Sequence, residues 1–404
     1  MARLEFEWGR LHDAILHGRR YPNEGGAGVA SQAQTGGPLS RAKFTSTTVS
    51  MRQPNPHDPS LLAVASALPP HHFPQDELTA FLRDRWEGRV FNTDRLTHLH
   101  RATQVRGRHL ALPLEAYERL ASFADANRAW VEVSSALGEK AARLALERAG
   151  VEPAEVDRIF FVSSTGIATP SVDAILTNRL GLPARVKRTP IFGLGCAAGA
   201  AGVARAADVL RGAPEEVALV VSVELCSLTF QRDDVSVANA IATGLFGDGA
   251  GAAVLGGAGR GRGPHLVATC SVFYPNTEEM MGWSVEESGL RIVLSARIPD
   301  LARERIGADV DAFLSANDLR HEDVTRWICH PGGPKVLEAL SQALRLPDTA
   351  LDHSREALAR VGNLSSASIL LVLERAMAEA APGEIGLLLA MGPGFCSELV
   401  LLRW

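Results

Sequence analysis

Residues 189–225 read TPIFGLGCAAGAAGVARAADVLRGAPEEVALVVSVEL. The pattern predicts a short strand over 189–193, an alanine-rich helix over 197–210 and a continuous apolar strand over 217–225. A strand that is apolar along its length is covered on both faces, as in layered α/β folds. Glycines at 193, 195 and 199 let the backbone turn sharply and neighbouring elements pack close. Cys196 then sits at the helix N-terminus, where free N–H groups and the macrodipole favour an anion and lower a thiol pKa. The alternative is a buried structural cysteine, the usual fate of a free thiol. A dinucleotide loop does not fit: the glycines miss G-x-G-x-x-G by one residue and no acid follows at the required distance.

The same rhythm continues outward. Strands are predicted over 61–68, 159–164 and 249–255, with helices over 75–86, 128–149 and 171–180. After the loop 256–263, with its five glycines and two arginines, come strands over 266–273, 291–294, 324–329, 385–391 and 397–402. Helices are expected over 299–316, 335–344 and 365–380. Strands alternating with helices indicate an α/β architecture. The two sides share a rhythm but no convincing sequence repeat. The loop divides residues 51–258 from 259–404. Residues 1–50 carry a linker-like stretch rich in Gly, Ala, Ser and Gln at 25–37, and lack the apolar core of a signal peptide. They read as a disordered extension without catalytic role.

The 404 residues are 46% hydrophobic and 22% charged, with a net charge of -5. There is no basic stripe, which argues against nucleic acid as a partner. No apolar run approaches the ~18 residues of a membrane helix. The five cysteines are odd in number and contain no CxxC pair. This argues against a disulfide framework or a metal site, and a reducing cytoplasm fits best.

Two further residues stand out. His330 follows a strand and opens HPGGP at 330–334; it either points into a cleft or lies in a solvated loop. Strand alternation turns the adjacent Cys329 to the other face, so the two do not form a metal pair. Asn363, in VGNLSSAS at 361–368, is either a helix N-cap or an amide aimed at a developing oxyanion.

In order, FGLGCAAG, LFGDGA, HPGGP, GNLSSAS and MGPGF resemble the chalcone and stilbene synthase family, from about residue 61 to the end. The resemblance implies a thiolase-like, five-layered αβαβα fold of two similar halves. It implies a homodimeric type III polyketide synthase that takes acyl-CoA and malonyl-CoA and needs no other cofactor. Cys196 would be the nucleophile, paired with His330 as thiolate and imidazolium, and Asn363 would complete the triad. Phe246 matches one of two gating phenylalanines of plant members, and Ile292 replaces the other. Trp283 stands where those members have glycine; Cys226 replaces a cavity threonine and Thr229 keeps one. Thr169 precedes Pro170 where the family carries a cis turn at the subunit interface, reaching toward the partner's cavity.

Coenzyme A phosphates need cations. In the basic run Arg95, His98, Arg101, Arg106 and Arg108, most members read as a solvated face; Arg95, Arg101 and Lys335 are the candidates for CoA. Residues 274–299 are similar to bacterial members that include makers of long-chain alkylpyrones and alkylresorcinols. With Trp283 and Ile292, this sets the expectation of a medium- or long-chain fatty acyl starter. One rival is a β-ketoacyl carrier-protein synthase III making a single condensation, which HPGG and the GPG loop disfavour. Another is a non-catalytic acyl-binding scaffold of the same fold, which joint retention of Cys, His and Asn disfavours.

Overall fold

The computed structural model describes residue 55 and residues 57–88, 93–260 and 263–404. The disordered extension expected over 1–50 lies outside the described residues. Among these residues are nine strands of one sheet: β1 (Ser60–Ala67), β4 (Arg158–Val162), β5 (Lys187–Ile191), β6 (Val217–Leu225), β7 (Asp248–Gly256), β8 (His265–Phe273), β11 (Arg326–Cys329), β12 (Ile385–Gly392) and β13 (Cys396–Arg403). Their order is β11-β12-β13-β8-β1-β7-β6-β4-β5. The outer pairs β11–β12, β4–β6 and β4–β5 are parallel, and the pairs between are antiparallel. The halves meet where Ser60 of β1 pairs with His265 of β8. Two small ladders stand apart: β2 (His71–Pro74) with β3 (Gly107–Leu110), and β9 (Met281–Glu286) with β10 (Gly289–Leu294).

Side-chain alternation builds the layers. On β6, Val217, Leu219, Val221 and Val223 face the long helix Phe123–Ala149 through Leu137, Ala141 and Ala145. Ala218 and Val220 face the other way, onto the helix Ala198–Leu210. The second half repeats the scheme. Leu387 and Leu389 of β12 face Ile298–Ser315 and Pro334–Ala343, while Leu388 and Ala390 point inward. The inward residues of both halves share one middle layer, made by Ala198–Leu210 and Ser368–Glu379. This is the five-layered, two-half architecture expected. The first of the middle layer's two helices is rich in small residues and packs closely on the other. A Cβ on Gly199 would come within 2.0 Å of the Ser366 carbonyl oxygen. Enlarging a fully buried alanine there, such as Ala204→Leu, costs about 1–3 kcal/mol by overpacking.

Two departures from the sequence reading have local causes. The helix expected over 128–149 begins earlier, at Phe123, because Ser122 accepts a hydrogen bond from Asp125 N at 3.2 Å. The helix expected over 365–380 is split: a 3-10 turn at Ser365–Ala367 precedes Ser368–Glu379, and Ser365 sits at φ +46°. A serine at positive φ cannot continue a right-handed helix.

Candidate active site

Cys196 occupies a 3-10 turn, Gly195–Ala197, directly before the helix Ala198–Leu210. Gly195 has φ +45°, and a Cβ there would lie 2.6 Å from Pro393. Reciprocally, a Cβ on Gly392 would lie 2.3 Å from the Leu194 carbonyl oxygen. The FGLGC and GPGF motifs thus fit against each other with no room for side chains. The half-buried Cys196 sulfur contacts the Ser365 hydroxyl at 3.6 Å. Burial pushes its thiol up to about 12; the Ser365 hydroxyl opposes this, the charge of Glu224 adds to it, and Asn363 opposes it.

His330 follows β11, its backbone N–H donating to the Leu389 carbonyl at 2.9 Å. The ring is buried, and neither ring nitrogen has a hydrogen-bond partner among the described residues. Burial lowers its pKa to about 3. Cys329 is buried among the outer-layer residues of the second half. No hydrogen bond joins Cys196 to His330 among the described residues. The sulfur is bonded to Ser365 and the imidazole is unpartnered, and desolvation favours the neutral form of both.

Asn363 is held on every side. Its N–H donates to the Leu245 carbonyl at 2.8 Å, and its carbonyl accepts from Gly247 N at 3.0 Å. Its Oδ1 accepts from Ser365 N, two residues on, at 2.8 Å, which fixes the turn; the cap position itself falls on Leu364. Its Nδ2 donates to the Gly332 carbonyl at 3.1 Å, tying the amide to the His330 turn. The amide also acts on the Cys196 sulfur as a hydrogen-bond partner, which aims it at the reacting centre. Gly362 sets this approach: it has φ +77°, and a Cβ there would lie 2.7 Å from the Leu245 carbonyl. Holding the turn and facing the sulfur are thus compatible uses of one side chain.

Two site residues escaped the sequence reading. Ser365 was visible only as part of GNLSSAS. Glu224 is the single acid in an otherwise apolar strand, which is the signal that marked it. Its buried carboxylate accepts from Ser164 N at 3.0 Å, Ser164 Oγ at 3.0 Å, Thr165 Oγ1 at 2.9 Å and the Ser366 hydroxyl. Burial raises its pKa against those donors.

A cavity is walled by Phe246, Ile292, Trp283, Cys226 and Thr229 together. Phe246 pairs with Asn363 through the backbone, so the cavity adjoins the triad. Trp283 and Ile292 are direct cross-strand partners on β9 and β10. Thr169 is not in this wall; it lies exposed, before a cis Thr169–Pro170 bond. The basic run divides. Arg95 and Arg101 are exposed on the helix Thr93–Ala102, roughly 120° apart around its axis, and Lys335 is exposed on Pro334–Ala343. Arg106 pairs with Glu356 at 2.7 Å. Arg108 corrects the reading of a solvated face: β3 turns it inward, and it lines the cavity at 4% exposure. Tyr117 joins the same wall. All five cysteines are unpaired. Among the described residues no helix is long and apolar enough to cross a membrane, and no group of three or more His, Cys, Asp and Glu is placed to hold a metal.

Residues 46–259 match a family model described as chalcone and stilbene synthases, N-terminal domain, and residues 265–404 match its C-terminal counterpart. The chain is 50% identical over 351 residues to a 1,3,6,8-tetrahydroxynaphthalene synthase of Streptomyces peucetius, covering 85% of this chain and 93% of that protein. It is 36% identical to a putative chalcone synthase of Bacillus subtilis, covering 85% and 98%. The crystal structure of the 1,3,6,8-tetrahydroxynaphthalene synthase of Streptomyces coelicolor, a bacterial type III polyketide synthase, superposes with a TM-score of 0.81 at 32% identity, covering 85% of this chain and 99% of that one.

Proposed function

This chain belongs to the chalcone and stilbene synthase family, as a bacterial-type type III polyketide synthase and acyltransferase of thiolase-like fold, and on that premise we propose which residues do the chemistry and which starter they take. Cys196 attacks the thioester of the starter-CoA. Its S–C bond forms, the bond to CoA sulfur breaks, and the thiol proton passes through His330 to the departing thiolate. A neutral, buried imidazole suits this step, having one acceptor and one donor nitrogen. Malonyl-CoA then loses CO₂. His330 and the Asn363 amide donate to the thioester oxygen where enolate charge develops. The enolate carbon forms a bond to the acyl carbon, the bond to Cys196 breaks, and the chain, one two-carbon unit longer, leaves on CoA. It reloads on Cys196 for the next round.

Phe246 and Ile292 gate the cavity; Trp283, Cys226 and Thr229 shape the chain within it. Arg95, Arg101 and Lys335 meet the phosphates of coenzyme A. The enzyme works as a homodimer in which Thr169 faces the partner's cavity.

For the starter, the proposal is malonyl-CoA itself, giving an aromatic product of the tetrahydroxynaphthalene class. The observation that carries it is the 50% identity to the Streptomyces peucetius enzyme of that name. The name describes a skeleton of ten carbons with no alkyl branch, the sum of five malonyl-derived two-carbon units. The polar groups of Tyr117, Cys226 and Thr229 in the wall suit a chain rich in carbonyls. A second reading, a medium- or long-chain fatty acyl starter giving alkylpyrones or alkylresorcinols, draws support from Leu78, Phe81, Leu82, Leu110 and Leu114 in the same wall. Each buried CH₂ would contribute about 0.8 kcal/mol there. Mass spectrometry of products decides between them, from malonyl-CoA alone and then with acetyl-, p-coumaroyl- and lauroyl-CoA. Tetrahydroxynaphthalene from malonyl-CoA alone is expected. Products only when lauroyl-CoA is present would establish the second reading instead.

A further inference from the structure

Within the cavity wall, Arg108 is a buried cation with no carboxylate within ion-pair distance among the described residues. Its Nε donates to Gln75 Oε1 at 3.2 Å and its Nη1 to the Phe246 carbonyl at 2.7 Å. No hydrogen bond from its Nη2 to a described residue is found. The carboxylate whose charge acts on it most, Asp248, is already engaged. Asp248 accepts from Ala111 N at 2.6 Å, from Ser227 N at 2.8 Å and from the Ser227 hydroxyl. Burial lowers the pKa of Arg108 only to about 10, so it is charged at neutral pH.

The position is fixed as firmly as the charge. A Cβ on Gly362 would lie 3.2 Å from Cγ and Cδ of Arg108, and one on Gly247 would lie 3.6 Å from its Cβ. The stem therefore passes beside the two glycines that flank Phe246 and Asn363 in the backbone pairing. The guanidinium is held against the Phe246 carbonyl, one backbone pairing away from Asn363, in a wall otherwise built largely of apolar and neutral groups. Removing a cation from water without a counter-ion is costly, and a carboxylate from the substrate would offset that cost.

We propose that Arg108 is a specificity-determining residue that pairs with the free carboxylate of a malonyl group carried on Cys196. The inference rests on the malonyl-starter reading and says how the starter is chosen. A fatty acyl chain leaves the guanidinium unpaired in a desolvated wall, while a malonyl starter fills its open fork. Arg108 acts on which acyl group is retained and leaves the bond-making steps to the triad.

The test is a competition on the full-length enzyme with malonyl-CoA and octanoyl-CoA together, scored as the ratio of malonyl-primed to octanoyl-primed products. Extension consumes malonyl-CoA in both series, so a general loss of extension cancels from the ratio. Arg108→Met should lower the ratio by about 30-fold or more, the scale for removing one partner of a buried charge pair. Arg108→Lys, which keeps the charge, should recover part of it. Arg108→Gln, which keeps the bonds to Gln75 and Phe246 feasible, covers the case in which Arg108→Met does not fold; it should lower the ratio as well. An unchanged ratio in folded Arg108→Met or Arg108→Gln overturns the proposal. If the wild-type enzyme forms no malonyl-primed product at all, the starter reading itself fails and the proposal with it. Malonyl-primed product from the wild type with an insensitive Arg108 removes the proposal alone.

Discussion

Around Cys196 the backbone does the placing. Gly195, Gly199, Gly362 and Gly392 each sit where a Cβ would strike a neighbouring atom at less than 3 Å, and the turns they permit hold Cys196, Ser365 and Asn363. In the cavity beside it the side chains do the placing. Arg108 arrives from β3, Tyr117 from the short helix Leu114–Tyr117, Cys226 from the turn after β6, and Trp283 and Ile292 from the β9–β10 hairpin. The first region tolerates almost no change in shape. The second can change its lining while the fold stays the same. On the proposed roles, chemistry is fixed in one region and selectivity is adjustable in the other.

The largest effect that separates the two regions is on turnover. Cys196→Ala should abolish condensation, since no other thiol stands at that turn; Cys226 lies in the cavity wall and Cys329 among the outer-layer residues of the second half. Trp283→Ala, in the cavity wall, should keep turnover and redistribute products. Product mass spectra of the two purified variants make the comparison. Condensation by Cys196→Ala at the wild-type rate would remove the covalent mechanism. Total loss in a folded Trp283→Ala would erase the division between the regions.

A smaller effect is expected at Asn363. Removing one preorganised oxyanion donor costs about 10²–10³ in rate. Asn363→Ala should therefore slow malonyl-CoA decarboxylation by two to three orders of magnitude while Cys196 still takes up acyl groups. Release of CO₂ and the mass of the acyl-enzyme report the two steps separately. Equal loss of both would mean that the amide mainly holds the turn, through its bonds to Gly332 and Ser365.

The difference between the regions also explains what could be read beforehand. Cys196, His330 and Asn363 announce themselves because the turns that place them need glycines at fixed offsets, and those glycines are visible as motifs. The layers were legible for a similar reason: β6 and β12 are largely apolar, β6 broken only by Ser222 and Glu224. Arg108 was not legible, because a basic run reads as a solvated face until β3 shows which way each residue points. Asn363 looked like a capping residue; the cap position falls on Leu364 instead, and the amide fixes the turn by accepting from Ser365 N. The contact between the Cys196 sulfur and the Ser365 hydroxyl joins residues 169 positions apart, and no local motif encodes it.

The finest distinction lies in Ser365, which belongs to the backbone-built region yet acts through its side chain. Its hydroxyl lies 3.6 Å from the Cys196 sulfur and works against the upward shift caused by burial. Removing it should raise the thiol pKa further. Below that pKa the thiolate fraction rises tenfold per pH unit, so a higher pKa means less thiolate at every pH in the range. A neutral hydrogen bond contributes about 0.5–1.5 kcal/mol net, which corresponds to a few-fold change. Iodoacetamide labelling of Cys196 in Ser365→Ala should thus be a few-fold slower between neutral and mildly alkaline pH, with the same slope against pH. Ser365→Gly separates the side chain from the turn. Glycine also lacks the hydroxyl but accepts φ +46° without strain, so its labelling should match that of Ser365→Ala while its thermal stability is at least as high. If Ser365→Gly instead labels like the wild type while Ser365→Ala does not, the turn rather than the hydroxyl sets the reactivity of the sulfur, and Ser365 joins the glycines as a residue chosen for its backbone.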